Sequence, residues 1–252
     1  MADPSEDSVA AARRSFNAEL LSADYPEIHG DDHQIGRLLD FLAPRADGRY
    51  LDLATGAGAV AFALAARHPE AHVHGIDIAD QAITRNRAAA RAQGHDRLQF
   101  HTTGGRAIDF PDRHFDGIAS RFALHHFPEP ATTLGDLARV LRPGGALAIA
   151  DAVRHPADTV DFINRFQALK PDGHIRIYDP AELVALFRPH GFQAAERFGS
   201  KLSFTRDLNP HYSALIAQTP PEILKLYDVR VEGAQAALTF EILNVRFLAS
   251  NP

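Results

Sequence analysis

The chain has 252 residues, 45% of them hydrophobic, a formal net charge of −6 and no cysteine. That length and apolar share suffice to bury one large core, and α/β sheets of this size commonly form a single domain. The acid excess gives no chain-wide electrostatic footprint for nucleic acid or an anionic membrane surface, and the missing thiols exclude disulfides, cysteine nucleophiles and cysteine-based zinc sites.

The first stretch, Met1-Ala-Asp-Pro-Ser-Glu-Asp7, is acidic and polar and lacks the basic and apolar regions of a secretory signal. No apolar run approaches the ~20 residues that span a bilayer. A soluble cytoplasmic protein with no membrane partner is expected. Within residues 1–45, Phe16, Leu20, Leu21, Ile35, Leu38, Leu39 and Phe41 suit amphipathic helices, read here as an N-terminal lid over a site. Tyr25 and His29 are the polar side chains on that lid that would meet a substrate. Apolar lid segments also make a homodimer an expectation.

The main domain, 46–252, opens with Arg49-Tyr-Leu-Asp-Leu-Ala-Thr-Gly-Ala-Gly-Ala-Val60, an apolar strand at 49–53 running into a glycine loop and an alanine-rich helix at 59–67. Gly56 and Gly58 lack a Cβ and allow close approach of a ligand to the backbone. A second apolar run, 72–77, ends at Asp77, 21 residues after Gly56. An acidic side chain at that spacing reaches ribose hydroxyls from the next strand. Asp52 stands just ahead of the glycine loop, where a pyrophosphate would otherwise settle on the helix N-terminus. Its charge repels phosphate and suits a ligand with a sulfonium and an ammonium group, which favours S-adenosylmethionine (SAM) over NAD. The plainer roles are loop hydrogen bonding for Asp52 and helix capping for Asp77.

A helix at 80–93, strands at 98–102, 115–119 and 146–151, and a helix at 131–141 stopped by Arg142-Pro-Gly-Gly145 complete the alternation. Alternating strands and helices predict an α/β fold with a mostly parallel sheet and helices on both faces. Arg121, His125 and His126 follow the fourth strand, at the carboxyl edge where open α/β sheets bind ligands. A histidine there, with an unperturbed pKa near ~6.5, is placed to deprotonate an acceptor. His126 is the leading candidate and His125 the second. Adjacent residues seldom direct both rings at one ion, and zinc-binding spacings are missing, so no metal is expected.

Beyond Asp151 the pattern predicts helices at 157–169 and 180–190 and strands at 193–198 and 238–249. Insertions covering the substrate are expected near 152–190 and 201–237. Asp151, His174, Arg176 and Tyr178 are the remaining substrate-binding candidates, His174 and Arg176 forming a cationic pair suited to a carboxylate or phenolate.

Five ordered segments carry a specific resemblance: Leu51-Asp-Leu-Ala-Thr-Gly-Ala-Gly58, Gly75-Ile-Asp77, Phe110-Pro-Asp-Arg-His-Phe-Asp116, Arg121-Phe-Ala-Leu-His-His-Phe-Pro128 and Leu137-Ala-Arg-Val-Leu-Arg-Pro-Gly-Gly145. In order and spacing they look like the motifs of class I SAM-dependent methyltransferases. The resemblance is to the bacterial small-molecule branch similar to ubiquinone/menaquinone C-methyltransferases, and it extends through Asn164, His174-Ile-Arg176 and the C-terminal strand. It implies a Rossmann-like seven-stranded sheet with an antiparallel C-terminal strand, and methyl transfer from SAM to a small organic metabolite, leaving S-adenosylhomocysteine. By the same resemblance, Asp52, Ala54, Gly56 and Gly58 surround the methionine moiety, Asp77 takes the ribose, Ile78 packs on adenine, Gly104, Gly105 and Arg106 border the base, and Arg121 adjoins the cofactor. One departure stands out: many relatives carry Asp near position 104, where this chain has Gly. A SAM-binding protein that rearranges its substrate or regulates, without methylating, is the alternative, because fold does not fix function. An NAD-dependent oxidoreductase is remote, given Asp52 and the missing Tyr-x-x-x-Lys pair.

Overall fold

The computed structural model describes residues 4–19, 32–105 and 107–250. Two helices, α1 (Pro4–Glu19) and α2 (Asp32–Leu42), precede the first strand. There follow β1 (Arg49–Leu53), α3 (Ala59–Arg67), β2 (His72–Asp77), α4 (Asp80–Ala92), β3 (Leu98–Thr102), β4 (Phe115–Arg121), a 3₁₀ turn (Leu124–His126), α5 (Pro130–Val140) and β5 (Leu141–Val153). The rest comprises α6 (Phe162–Gln167), α7 (Pro180–Phe187), β6 (Phe192–Asp207), α8 (Pro210–Gln218), α9 (Pro221–Leu226), β7 (Arg230–Glu232) and β8 (Gln235–Ala249).

The strands form one sheet in the order β3-β2-β1-β4-β5-β8-β6. β1 to β5 pair in parallel, and β8 runs antiparallel between β5 and β6. This is the expected sheet, with the three-residue β7 added as a hairpin strand on β8. Strands buried on both faces read as near-continuous apolar runs, and β5 shows how the faces divide. Ala148, Ala150 and Ala152 point into one core with Leu38 and Leu39 of α2 and Leu64 of α3. Leu147, Ile149 and Val153 point into the other with Leu134 and Leu137 of α5 and Leu183 and Phe187 of α7. Small alanines on the first face let α2 lie close to the sheet.

Several boundaries differ from the sequence pattern. The helix expected over 157–169 is only α6, because buried Asp158 accepts from the amides of Phe162 (2.9 Å) and Ile163 (3.2 Å) and starts the helix there. α7 ends at Phe187 because Pro189 turns the chain into a 3₁₀ segment, Arg188–His190. β6 runs through Asp207, so the start of the insertion expected at 201–237 is strand; the remainder holds α8, α9 and β7. Among the described residues, no helix is long and apolar enough to cross a membrane.

Candidate active site

The carboxyl ends of β1, β2 and β4 open into a cavity of about 300 Å³. Its cofactor end is the turn after β1. Ala54, Gly56 and Gly58 take positive φ values of 56°, 49° and 84°. Gly58 is required as such: a Cβ there would come within 2.8 Å of the Phe62 ring. The turn is tied to its neighbours by Thr55 N donating to Ile76 O (2.9 Å), Gly56 N donating to Asp77 Oδ2 (2.8 Å) and Asn86 Nδ2 donating to Gly56 O (2.8 Å). Asn86 is fully buried in α4, and the sequence reading missed it because a polar residue in a helix carries no signal of a partner 30 residues away.

Asp52 is buried, and its Oδ2 accepts from Thr55 Oγ1 (2.6 Å) and Ala61 N (3.1 Å). Burial pushes its carboxyl up to about 7, against the pull of those hydrogen bonds. Asp77 accepts from Gly56 N and, through Oδ1, from Ala79 N (2.8 Å), with burial holding its carboxyl above the usual range. Ile78 and Gly105 border the same end. Gly105 has φ 82°, and a Cβ on it would press to 3.0 Å from the Ile78 side chain, where an adenine was expected to pack.

The other end is built around the 3₁₀ turn. His125 Nδ1 meets Asp151 Oδ1 at 2.5 Å. Asp151 is buried, and its two oxygens also accept from Leu124 N (2.7 Å) and Ala152 N (2.7 Å). Burial pulls the His125 pKa down, but the Asp151 charge and hydrogen bond outweigh it and hold the imidazole above its ordinary value. His126 goes the other way: burial, then the adjacent His125, lower it to about 3. Its ring packs edge-on against Phe16 of α1 at 5.0 Å, and its Nδ1 has no hydrogen-bond partner among the described residues. A group that ionises near 3 is a poor proton acceptor at neutral pH, so the expected ranking reverses and His125 becomes the candidate base.

α1 roofs the cavity with Val9, Ala12 and Phe16, and Asn17 Nδ2 fastens it to Asp80 Oδ1 of α4 at 2.8 Å. Of the segment 1–45 read as a lid, α1 covers the cavity over 4–19, whereas Tyr25 and His29 lie outside the described residues, as does Arg106. Gly104 and Gly58 do not line the cavity; Asp52, Ala54, Gly56, Asp77, Ile78, Gly105, Arg121, His125 and His126 do. Arg121 Nε donates to Gln34 Oε1 (2.9 Å) and its guanidinium lies 4.2 Å from the Phe122 ring centroid.

The loop candidates are corrected in part. Arg176 faces away, in an ion pair with Glu182 (2.5 Å), and Tyr178 is buried in the second core; neither lines the cavity. His174 does not line it either: its Nε2 sits 3.0 Å from Asn164 Oδ1, and burial and nearby His125 lower its pKa to about 4. What this loop brings to the site is backbone, with Ile175 N and Arg176 N both donating to the His125 carbonyl (2.9 and 3.1 Å). Asn164 locks the loop, accepting from Ile177 N (2.6 Å) and donating to Ile177 O (3.1 Å). Asp151 stands behind His125 instead of in the cavity wall.

The residues fit SAM. Asp52 is a desolvated carboxylate whose hydrogen-bond partners are neutral, as a sulfonium or ammonium neighbour requires, and Asp77 presents acceptors to a diol.

Residues 44–198 match the family described as a methyltransferase domain. An uncharacterized methyltransferase of Bacillus subtilis, YcgJ, is 29% identical over 69% of this chain and 67% of its own. Its crystal structure superposes with a TM-score of 0.75 at 20% identity, over 87% of this chain and 99% of that one, a likeness of fold. A demethylmenaquinone methyltransferase of Thermus thermophilus is 35% identical over 54% of this chain and 62% of its own. The chain thus spans roughly half to two thirds of the length of such curated relatives.

Proposed function

The chain belongs to the methyltransferase-domain family, and from that premise we propose that it transfers a methyl group from SAM to a small organic acceptor bearing a removable proton. The observation that supports this reading is the His125–Asp151 dyad, which opens into the same cavity as the glycine turn. When bound, SAM supplies a methyl group already activated by its sulfonium, so positioning carries most of the catalysis. Asp52 and the turn at Ala54–Gly56 would hold the methionine end, Asp77 the ribose and Ile78 with Gly105 the adenine.

His125 takes the acceptor's proton at Nε2, because Nδ1 is committed to Asp151. Asp151 is a positioning residue: it fixes the ring and the tautomer and stabilises the imidazolium that forms. Phe16 and His126 pack at the roof and exclude water from the transfer.

The test is an acceptor screen that follows S-adenosylhomocysteine release, repeated with variants. His125→Ala is expected to cut turnover by about 10²–10⁴ while leaving S-adenosylhomocysteine affinity unchanged, and His126→Ala to retain most turnover. Asp151→Asn is expected to lower turnover and move the basic limb of its pH profile. Full turnover in His125→Ala removes the base from the mechanism. Tight SAM binding with no product from any acceptor favours the non-methylating reading.

A further inference from the structure

β6 and β8 form a long hairpin whose inward side chains line the cavity away from the glycine turn. Leu202 and Phe204 alternate along β6, Phe240 and Ile242 along β8, and Arg206 comes next on the same face of β6. This end of the cavity also receives Lys170 and Asp172, which pair with each other at 3.0 Å. Arg121 is engaged by Gln34. Arg206 differs from both. Among the described residues it has no carboxylate partner, its Nε is buried without a hydrogen bond, and its guanidinium lies 5.3 Å from the Phe204 ring centroid. A guanidinium nitrogen buried without an acceptor is costly, and the fork of donors matches a carboxylate.

We propose that Arg206 is an anion subsite of the acceptor pocket. The acceptor has an apolar body that lies along Leu202, Phe204, Phe240 and Ile242, and a carboxylate that accepts from the Arg206 guanidinium. This rests on the methyltransferase reading above for what the pocket is used for. It replaces the cationic pair His174 and Arg176 expected from the sequence, one of which is held by Asn164 and the other neutralised by Glu182.

The experiment compares naphthalene-2-carboxylic acid with its methyl ester by calorimetric titration, in the presence of saturating S-adenosylhomocysteine and in its absence. The acid is expected to bind roughly ten- to hundredfold more tightly than the ester. Arg206→Ala should remove that preference while leaving ester binding and S-adenosylhomocysteine binding as they were, and Arg206→Lys should restore part of it. Thermal melting of each variant checks that the fold is intact. Equal binding of acid and ester, no measurable binding of the acid, or a preference that survives Arg206→Ala overturns the proposal. If S-adenosylhomocysteine fails to bind the unaltered protein, the methyltransferase reading falls, while the titrations without it still decide whether Arg206 selects the acid.

Discussion

Asp52 and the two adjacent histidines show what single residues do here. A carboxyl raised to about 7 is largely protonated at pH 6 and largely ionised at pH 8. Binding a cationic ligand requires the ionised form, so affinity for SAM should fall as pH drops through 7, roughly tenfold between pH 8 and pH 6. Calorimetric titration across that range checks this; Asp52→Asn should bind weakly and lose the pH dependence, and a flat profile in the unaltered protein would contradict the role. The sequence marked Asp52 through its place ahead of the glycines. It marked the histidine pair too and put His126 first, because what favours His125 is Asp151, 26 residues later, and what lowers His126 is its burial, to which Phe16 on another helix contributes. Neither partner leaves a local trace.

At the level of elements, the parallel strands β1 to β3 were readable because each is a short apolar run bounded by turn residues. β6 was not. Its inward positions, Leu202, Phe204 and Arg206, alternate with Lys201, Ser203 and Thr205, and the arginine breaks the apolar half of the pattern. The 3₁₀ turn holding His125 depends on a loop whose recognisable motif, His174-Ile-Arg176, works through its amides, so its residue types misdirect. Asn164 is the clamp. Asn164→Ala removes the acceptor for Ile177 N and the donor to Ile177 O, a local loss of about 1–3 kcal/mol. The expected result is faster hydrogen exchange at 174–177 and lower turnover with unchanged S-adenosylhomocysteine affinity; unchanged exchange would show that the loop is held by other contacts.

Across the whole molecule, burial lowers six histidines among the described residues, His68, His74, His101, His114, His126 and His174, three of them strongly. His74 and His174 are lowered to about 4 and His126 to about 3, in each case by burial first. Their unfolded counterparts bind protons below ~6.5, so the unfolded chain takes up more protons than the fold as pH falls, and stability declines from about pH 6.5 toward 4. The slope is at most about 1.4 kcal/mol per pH unit for each group. Asp52, raised to about 7, and Asp77 and His125, also raised, act in the opposite sense, so the test is a comparison: between pH 7 and pH 5 the melting temperature of His74→Asn should fall less than that of the unaltered protein, and an equal pH dependence of the two would overturn the assignment. The sheet has one further consequence, which follows from β8 lying antiparallel between β5 and β6. On the proposed reading the donor end is built by the consecutive segment 49–105, while the far wall is set by the register of a hairpin from much later in the chain. Substitutions at 202, 204, 206, 240 and 242 can accumulate without disturbing the turn at 54–58. On the proposed reading, the wall that meets the acceptor can therefore be rebuilt while the end that meets the donor keeps its shape.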